Sequence, residues 1–373
     1  MNTLRTCCRW VVPLLLGLHG CRGETPATKS GSSVCSEWAP NVVTAWPSDT
    51  LTVPVEALPA GGIALSRSSV FVLDLAQGRV VRLDSTAHII ASFGRSGDGP
   101  GELARAHSTS IGYLTSPDWI AVRSESLFVF DGRSVHVLAT DGTLLAQWSV
   151  GARAGAGVST RLRMLRNGIV VDVHRGFDPS DRVRLIRPNR SFRLIRVLPE
   201  SVTVLAHFPL PPAPITAEGT IFEGPAEARP LWDVVGQCIV VIDGSSPTLT
   251  LIDTESGARE TRLLPLPERF VDVKQANANM PFEGMTVGPI PAPARPKRVS
   301  ELTLDRAGWI WMRPTPPAPA PEAGIEVWRY HIPTGRFMFD TLPAFPRLLD
   351  ASGRVVGVAT DHSFVTRVIP MAR

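Results

Sequence analysis

The sequence predicts an all-β protein: a six-bladed β-propeller of four-stranded antiparallel blades, with the ring closed by an N-terminal strand. Three observations carry this prediction. A unit made of a short apolar strand, a tight turn and a second apolar strand recurs six times along the 373 residues. Within each unit the second strand is apolar on both faces, while the third and fourth alternate, so inner strands need cover on both sides and outer ones meet solvent. No stretch of more than about ten residues holds a helical period. Four-stranded sheets stacked face to face around an axis satisfy all three conditions and protect their edges by radial repetition. A two-sheet sandwich with Pro-rich loops is the alternative; the repeat count and the two-sided inner strands weigh against it.

The units follow in order. The first opens with GGIALSRSSVFVLD (61–74), continues with GRVVRLD, turns at Ser-Thr-Ala, and ends with HIIASFG. WIAVRSESLFVFD (119–131) starts the second, followed by SVHVLAT, an Asp141-Gly142 turn and TLLAQWSV. The third has RLRMLRNGIVVDV (161–173), then DRVRLIR and SFRLIRVL as its third and fourth strands, with Pro-Asn-Arg between them. PLWDVVGQCIVVID (230–243), PTLTLID and RETRLLPL make the fourth. ELTLDRAGWIWM (301–312), IEVWRYH, Pro-Thr-Gly and RFMFDTL make the fifth. The sixth has PRLLDASGRVVGV (346–358) and SFVTRVIP but lacks a fourth strand, which DTLTVPV (49–55) supplies from the N-terminus. Gly, Asp and Ser end these strands because they suit tight turns.

The N-terminus reads as a targeting segment. MNTLRTCCRWVVPLLLGLHGC has a basic start at Arg5 and Arg9 and an apolar run from Trp10 to Leu18, too short to span a bilayer. Leu18-His19-Gly20-Cys21 resembles the bacterial lipobox, with His19 where a small or β-branched residue is usual, and Cys21 is the expected lipidation site. The expected organisation is a signal peptide at 1–20, a flexible tether at 21–40 and a propeller domain at 41–373. The protein is then exported from a bacterial cell and held as a lipoprotein on the periplasmic side of a membrane or at the cell surface. Membrane contact is expected only through that anchor.

The chain carries 38 Lys+Arg against 34 Asp+Glu, a net charge of +4, and losing Arg5 and Arg9 with the leader lowers it to +2. The basic residues are nearly all Arg and form no dense patch, which argues against a nucleic-acid partner. After removal of the leader Cys21, Cys35 and Cys238 remain. If Cys21 is lipidated, Cys35 and Cys238 form an even pair in an oxidising compartment, and a bridge between them is open. The setting of Cys238 in the apolar run GQCIVVID favours a buried free thiol instead.

The stretch SSVFVLDLAQGRVVRLDSTAHIIASFGRSGDGPGEL (68–103) is similar to the NHL-type repeat of bacterial six-bladed propellers. Asp74, Gly78, Arg79, Val80, Asp84, Phe93, Gly94 and the run Gly97 to Glu102 match that pattern. Leu103 replaces its closing Phe, and Ala87 stands at the usual turn Gly. The match is strong over 69–103, fair over 126–148 and 301–340, and weak elsewhere. The resemblance implies fold and compartment, and function only as binding or recognition, because fold does not fix function.

In a propeller, the loops after the second and fourth strands gather on one face around the channel. The candidate binding residues there are Arg95, Asp98, Glu102, Arg133, His174, Arg175, Asp178 and Asp243. Convergent acids with a His are chemically suited to Ca²⁺ or Zn²⁺, but Asp and Gly at strand ends also serve turns, so the metal assignment stays open. GDGPGE is no P-loop, since neither Gly-Lys-Ser/Thr nor a helix follows it. No Gly-x-Ser-x-Gly elbow, His-Glu-x-x-His or EF-hand loop occurs. Pro-rich runs at 209–214, 288–296 and 314–324 read as extended insertions, and 265–298, the longest stretch without strand pattern, is placed as a lid over one face. The expected function is a monomeric binding module for a protein, peptide or glycan, with no catalytic residues and no cofactor beyond an optional Ca²⁺. The alternative is a Ca²⁺-dependent hydrolase or lyase resembling the six-bladed lactonases and arylesterases. Scarce Asn on the candidate loops counts against it.

Overall fold

A computed structural model describes residues 34–36, 38, 50–53, 60–74, 77–97, 99, 101–103, 120–131, 134–150, 161–175, 186–187, 191–210, 213–214, 229–244, 246–267, 298–315, 324–342, 344–349, 355–360 and 366–370. Short apolar runs separated by turn residues form a succession of antiparallel sheets. The first contains β2 (Ala60–Leu65), β3 (Val70–Asp74), β4 (Arg79–Leu83) and β5 (Ile89–Phe93), paired in that order. The second contains β6 (Ile120–Arg123), β7 (Ser126–Phe130), β8 (Ser134–Ala139) and β9 (Leu144–Ser149). The third pairs β10 (Leu162–Met164), β11 (Ile169–Arg175), β13 (Ser191–Val197) and β14 (Val202–Pro209). The fourth pairs β16 (Pro230–Val235), β17 (Cys238–Asp243), β18 (Thr248–Asp253) and β19 (Arg259–Leu263). The fifth pairs β20 (Val299–Leu304), β21 (Trp309–Pro314), β22 (Ile325–His331) and β23 (Arg336–Leu342). Each of these five sheets comes from one continuous stretch of chain, and they are the four-stranded blades of a β-propeller.

A further four-stranded sheet joins the two ends of the chain. It sets β1 (Leu51–Val53) beside β26 (Thr366–Pro370), then β25 (Val355–Thr360), then β24 (Pro346–Leu349). Leu51 lies opposite Val368 and Val53 opposite Thr366. The innermost strands touch in cyclic order, β2 to β6, β6 to β10, β10 to β16, β16 to β20, β20 to β24 and β24 back to β2.

Burial follows the expected gradient with one difference. All five residues of β3 are buried, as are the first five of β17, while β5 and β19 alternate between exposed and half-buried positions. The third strands are more deeply buried than the predicted alternation allows: four successive residues of β8 are buried. A third strand still has a neighbouring sheet on both faces over most of its length, so exposure of apolar side chains is concentrated on the fourth strand. The exposed large apolar side chains, Ile89, Ile90, Leu144, Leu145, Val204, Leu263 and Phe339, all lie on fourth strands.

The apolar interior is a set of layers, each between two successive sheets. Phe71, Leu73 and Val80 of the first sheet meet Leu127, Val129 and Leu138 of the second. Phe128 and Val137 meet Val171 and Ile195, and Leu194 and Phe192 meet Trp232 and Ile239. The largest layer packs Val240, Leu249 and Leu251 against Leu302, Ile310 and Trp328. Val53 and Val356 of the sheet made from the chain ends pack on Ile63 and Val70. At roughly 25 cal/mol per Å² of apolar surface removed from water, these layers are the main force holding blade to blade.

Arginines add a second set of ties. Arg82 Nη1 donates to the carbonyl of Thr140 in the next sheet at 3.3 Å, and Arg123 Nη1 to Leu165 at 3.0 Å. Arg196 Nη1 donates to Thr254 at 3.4 Å, and Arg262 Nη1 to Ile332 at 2.6 Å. A planar guanidinium stays charged and carries several fixed donors, which suits it to capturing turn carbonyls. At the third-to-fourth-strand turns, carboxylates accept the free amides. The Thr86 hydroxyl and amide hold the Asp84 carboxyl below its ordinary value, and the Ser256 and Glu255 amides do the same for Asp253.

Two sequence readings are corrected. DRVRLIR is not a blade strand: the third strand of the third blade is Ser191–Val197 and the fourth is Val202–Pro209. Ile186 and Arg187 (β12) instead pair with Ala213 and Pro214 (β15) in a small two-stranded ribbon. The blade had a better partner for β11 in SFRLIRV, which buries five of its seven residues. The second correction concerns the cysteines. Cys238 is not a free thiol; it is bonded to Cys35, 203 positions away, and both are buried in the layer between the fourth and fifth sheets. The signal peptide, the Cys21 site, the Asp350-to-Gly353 turn and residues 268–297 of the expected lid lie outside the described residues.

Candidate functional site

Antiparallel pairing divides the connections between two faces. Turns after first and third strands lie on one face; those after second strands, and the crossovers from fourth strands to the next blade, lie on the other. The turn-face connections are short, none longer than five residues, as at 84–88, 165–168, 236–237 and 305–308. The chain leaves the described strands on the crossover side after Phe93, Ser149, Arg175, Pro209, Leu263 and Pro314, where the connections are longer than five residues. The strand ends that flank these long connections are therefore on one side.

The best described part of that side is the stretch FGRSGDGPGEL, from Phe93 to Leu103. It closes on itself. The Leu103 amide donates to the Arg95 carbonyl at 2.8 Å, the Gly97 amide to the Leu103 carbonyl at 3.1 Å, and the Glu102 amide to the Gly99 carbonyl at 3.0 Å. Glu102 Oε2 accepts the Gly99 amide at 2.9 Å, and Arg95 Nε meets Glu102 Oε1 at 2.6 Å. A Cβ on Gly97 would stand 1.8 Å from Glu102 Oε2, so any larger residue there would displace the carboxylate from the Gly99 amide. Leu103 is 1 % exposed and plugs the layer between the first two blades. The amides of Gly97, Gly99, Glu102 and Leu103 and the Glu102 carboxylate are thus engaged within the segment, and among its described residues the Arg95 side chain, 81 % exposed, reaches outward.

Arg95 and Glu102 are therefore brought together. Asp243 ends β17 opposite Pro230, with its carbonyl accepting the Ser246 amide at 3.0 Å. His174 and Arg175 close β11 opposite Phe192 and Ser191, at the root of the insertion that holds Ile186 and Arg187. Asp98, Arg133 and Asp178 lie outside the described residues. Among the described residues no group of three or more His, Cys, Asp and Glu is arranged to hold a metal ion, and no helix is long and apolar enough to cross a membrane.

Sequence reasoning missed a polar network along the inner strands. Arg161, just before β10, uses Nη1 to donate to the carbonyls of Trp232 on β16 and Leu302 on β20, reaching across two blades. Its amide is received by Asp172 Oδ1 at 2.9 Å. Arg163 Nε meets Asp233 Oδ1 at 2.6 Å, and Asp233 Oδ2 accepts the Leu304 amide at 2.8 Å. Two arginines of the third blade and one aspartate of the fourth thereby stitch the third, fourth and fifth blades together. The available signal was Asp233 in PLWDVV, an acid inside an otherwise apolar strand, which demands a partner when buried.

A second missed pair lies in the second blade. Asp131 Oδ2 and His136 Nε2 are 2.9 Å apart, with the His136 side chain 1 % exposed. In the first blade Asp74 holds Arg79 Nε at 3.0 Å from the matching strand end. Among the described residues His136 Nδ1 has no hydrogen-bond partner. The imidazole has no surface from which to reach a substrate, and its place matches that of Arg79, so it serves the blade rather than a reaction.

No protein-family model matches the chain, and no curated protein matches it. Solved structures do. A streptogramin B lyase structure aligns at 13 % identity over 87 % of this chain and 97 % of that one, with a TM-score of 0.41. A member of the DUF4221 family from Bacteroides vulgatus aligns at 9 % identity over 86 % and 95 %, with a TM-score of 0.47. A calcium-binding protein, regucalcin, from Agrobacterium tumefaciens aligns at 12 % identity over 85 % and 92 %, with a TM-score of 0.43.

Proposed function

We propose that this chain is an exported, N-terminally tethered six-bladed propeller, closed by β1, that binds a protein, peptide or glycan through its crossover face. The observation that carries the binding assignment is the asymmetry of the two faces. The strand ends that flank the long connections are on one side, above a scaffold in which Arg161, Arg163 and Asp233 are engaged in joining the third, fourth and fifth blades. The six-bladed reading takes the sheet of β1, β24, β25 and β26 as the last blade, supported by the return of the inner-strand contacts from β24 to β2. Export is supported by the leader pattern and by the Cys35–Cys238 bridge, since persistent disulfides belong to oxidising compartments.

A Ca²⁺-dependent hydrolase needs convergent acids at the inner ends of several blades. Among the described inner-strand acids, Asp172 accepts the Arg161 amide, Asp233 the Arg163 guanidinium and the Leu304 amide, and Glu301 the Arg313 guanidinium. The reading is tested in the cell of origin by placing a photo-cross-linking amino acid at Arg95 on the crossover face and, separately, at His88 on the turn face. Both side chains are exposed to a similar degree, 81 % and 82 %. Adducts with a partner are expected from position 95 and not from 88. Adducts from 88 alone, or none from either, overturn the assignment.

A further inference from the structure

A strand that closes a propeller from a chain terminus is free to peel away, because nothing holds its outer end. Here β1 is not in that position. Ahead of it, Cys35 is bonded to Cys238 at the start of β17, and the two sulfurs are buried with Val240, Leu251 and Leu302 between the fourth and fifth sheets. The Val34 amide donates to Glu260 Oε2 at 3.3 Å, and the hydrogen bond from Arg262 holds that carboxyl below its ordinary value. Trp38 packs on the same layer, close enough that a Cβ on Gly308 would stand 3.1 Å from its ring. Behind it, β2 is built into the first blade.

The covalent path from Cys35 to Cys238 therefore runs through β1 in the terminal sheet, through the first, second and third blades, and into the fourth. The fifth is touched by Trp38. This circuit meets every sheet of the ring. We propose that the Cys35–Cys238 bridge is a latch on ring closure: it holds β1 against β26 by pinning the chain on the far side of that strand. With the bridge formed, a β1 that leaves β26 stays leashed sixteen positions from Cys35 and returns as an intramolecular event. With the bridge open, β1 becomes an ordinary terminal strand. Closure of the ring is thus coupled to thiol oxidation: the two thiols lose two electrons and two protons to an external disulfide oxidant as the sulfur–sulfur bond forms.

The test is hydrogen exchange on the oxidised protein and on Cys35→Ser, Cys238→Ser and the double variant. Protection at Leu51, Val53 and Val368 is expected to fall by about tenfold or more in all three variants, the singles matching the double, with β7 and β8 unchanged. Unchanged protection at β1 and β26, or an equal loss in every sheet, overturns the latch. Should the variants fail to fold, the oxidised wild-type protein is reduced with a phosphine under native conditions, its thiols are alkylated, and the same amides are followed. Loss of protection confined to β1, β26 and residues 34–38 is then expected, and full protection after verified alkylation overturns the proposal. The latch stands or falls independently of any ligand on the crossover face.

Discussion

Ala87 occupies the left-handed region, with φ at 66°, in the turn between β4 and β5. The corresponding turns of the second, fourth and fifth blades use Gly142, Gly257 and Gly335 at φ of 94°, 72° and 69°. A Cβ in that region costs roughly 1–2 kcal/mol, and glycine loses part of that advantage to its unfolded-state entropy. Ala87→Gly is therefore expected to stabilise the protein by about 0.5–1 kcal/mol. Gly142→Ala should do the reverse by about 2 kcal/mol or more, because its Cβ would also stand 2.5 Å from the Phe93 ring of the preceding blade. Urea unfolding of the two variants checks both signs; a destabilised Ala87→Gly would show that the turn is held by something other than its backbone conformation. The sequence already marked Ala87 as standing where a turn glycine is expected, so this strain was legible. The buried Asp131–His136 pair was not, since SVHVLAT reads as a strand with a histidine between two valines and says nothing about what lies opposite.

Blade strands were readable wherever Asp, Gly or Ser punctuated them, and misread where an insertion copied their pattern. DRVRLIR alternates as well as a true outer strand does, and only pairing distinguishes it from SFRLIRV. The tie between blades was likewise invisible to local pattern, because its partners come from three blades. Asp233 is its pivot, accepting Arg163 on one oxygen and the Leu304 amide on the other. Asp233→Ala leaves a mostly buried guanidinium and an inner-strand amide without their acceptor, and should cost about 3–5 kcal/mol. Asp233→Asn keeps a carbonyl for one of the two and should cost about 1–3 kcal/mol. Denaturant midpoints of the two variants separate these outcomes. A loss below about 0.5 kcal/mol in the alanine variant would mean that the Asp233 tie adds nothing to the apolar layers and the Arg161 bonds that also join these blades.

At the scale of the whole molecule, the disulfide fixes the face on which the described N-terminal segment lies. The described chain enters at Val34, beside Glu260 on β19, and reaches the 305–308 turn through Trp38, so the N-terminal segment arrives on the turn face. The crossover face, with the strand ends that flank the long connections, lies opposite. An anchor at Cys21 then stands only thirteen positions before Val34, a reach of at most ~45 Å when fully extended. Such a tether would hold the turn face toward the membrane and direct the crossover face away from it. None of this orientation was legible in the sequence, because a spacing of 203 residues gives no indication that two cysteines meet. Two substitutions separate the anchor from the latch. Cys21→Ala should move the exported protein from the membrane to the soluble fraction while leaving the Cys35–Cys238 bridge intact. Cys35→Ser should leave it on the membrane but free the crossover face from its fixed orientation, which protease digestion of intact cells or spheroplasts would register as new cleavage near the first strand. Unchanged membrane association of Cys21→Ala would remove the tether from this account, and with it any preferred orientation, while leaving the blades and the pairing of β1 with β26 as they are.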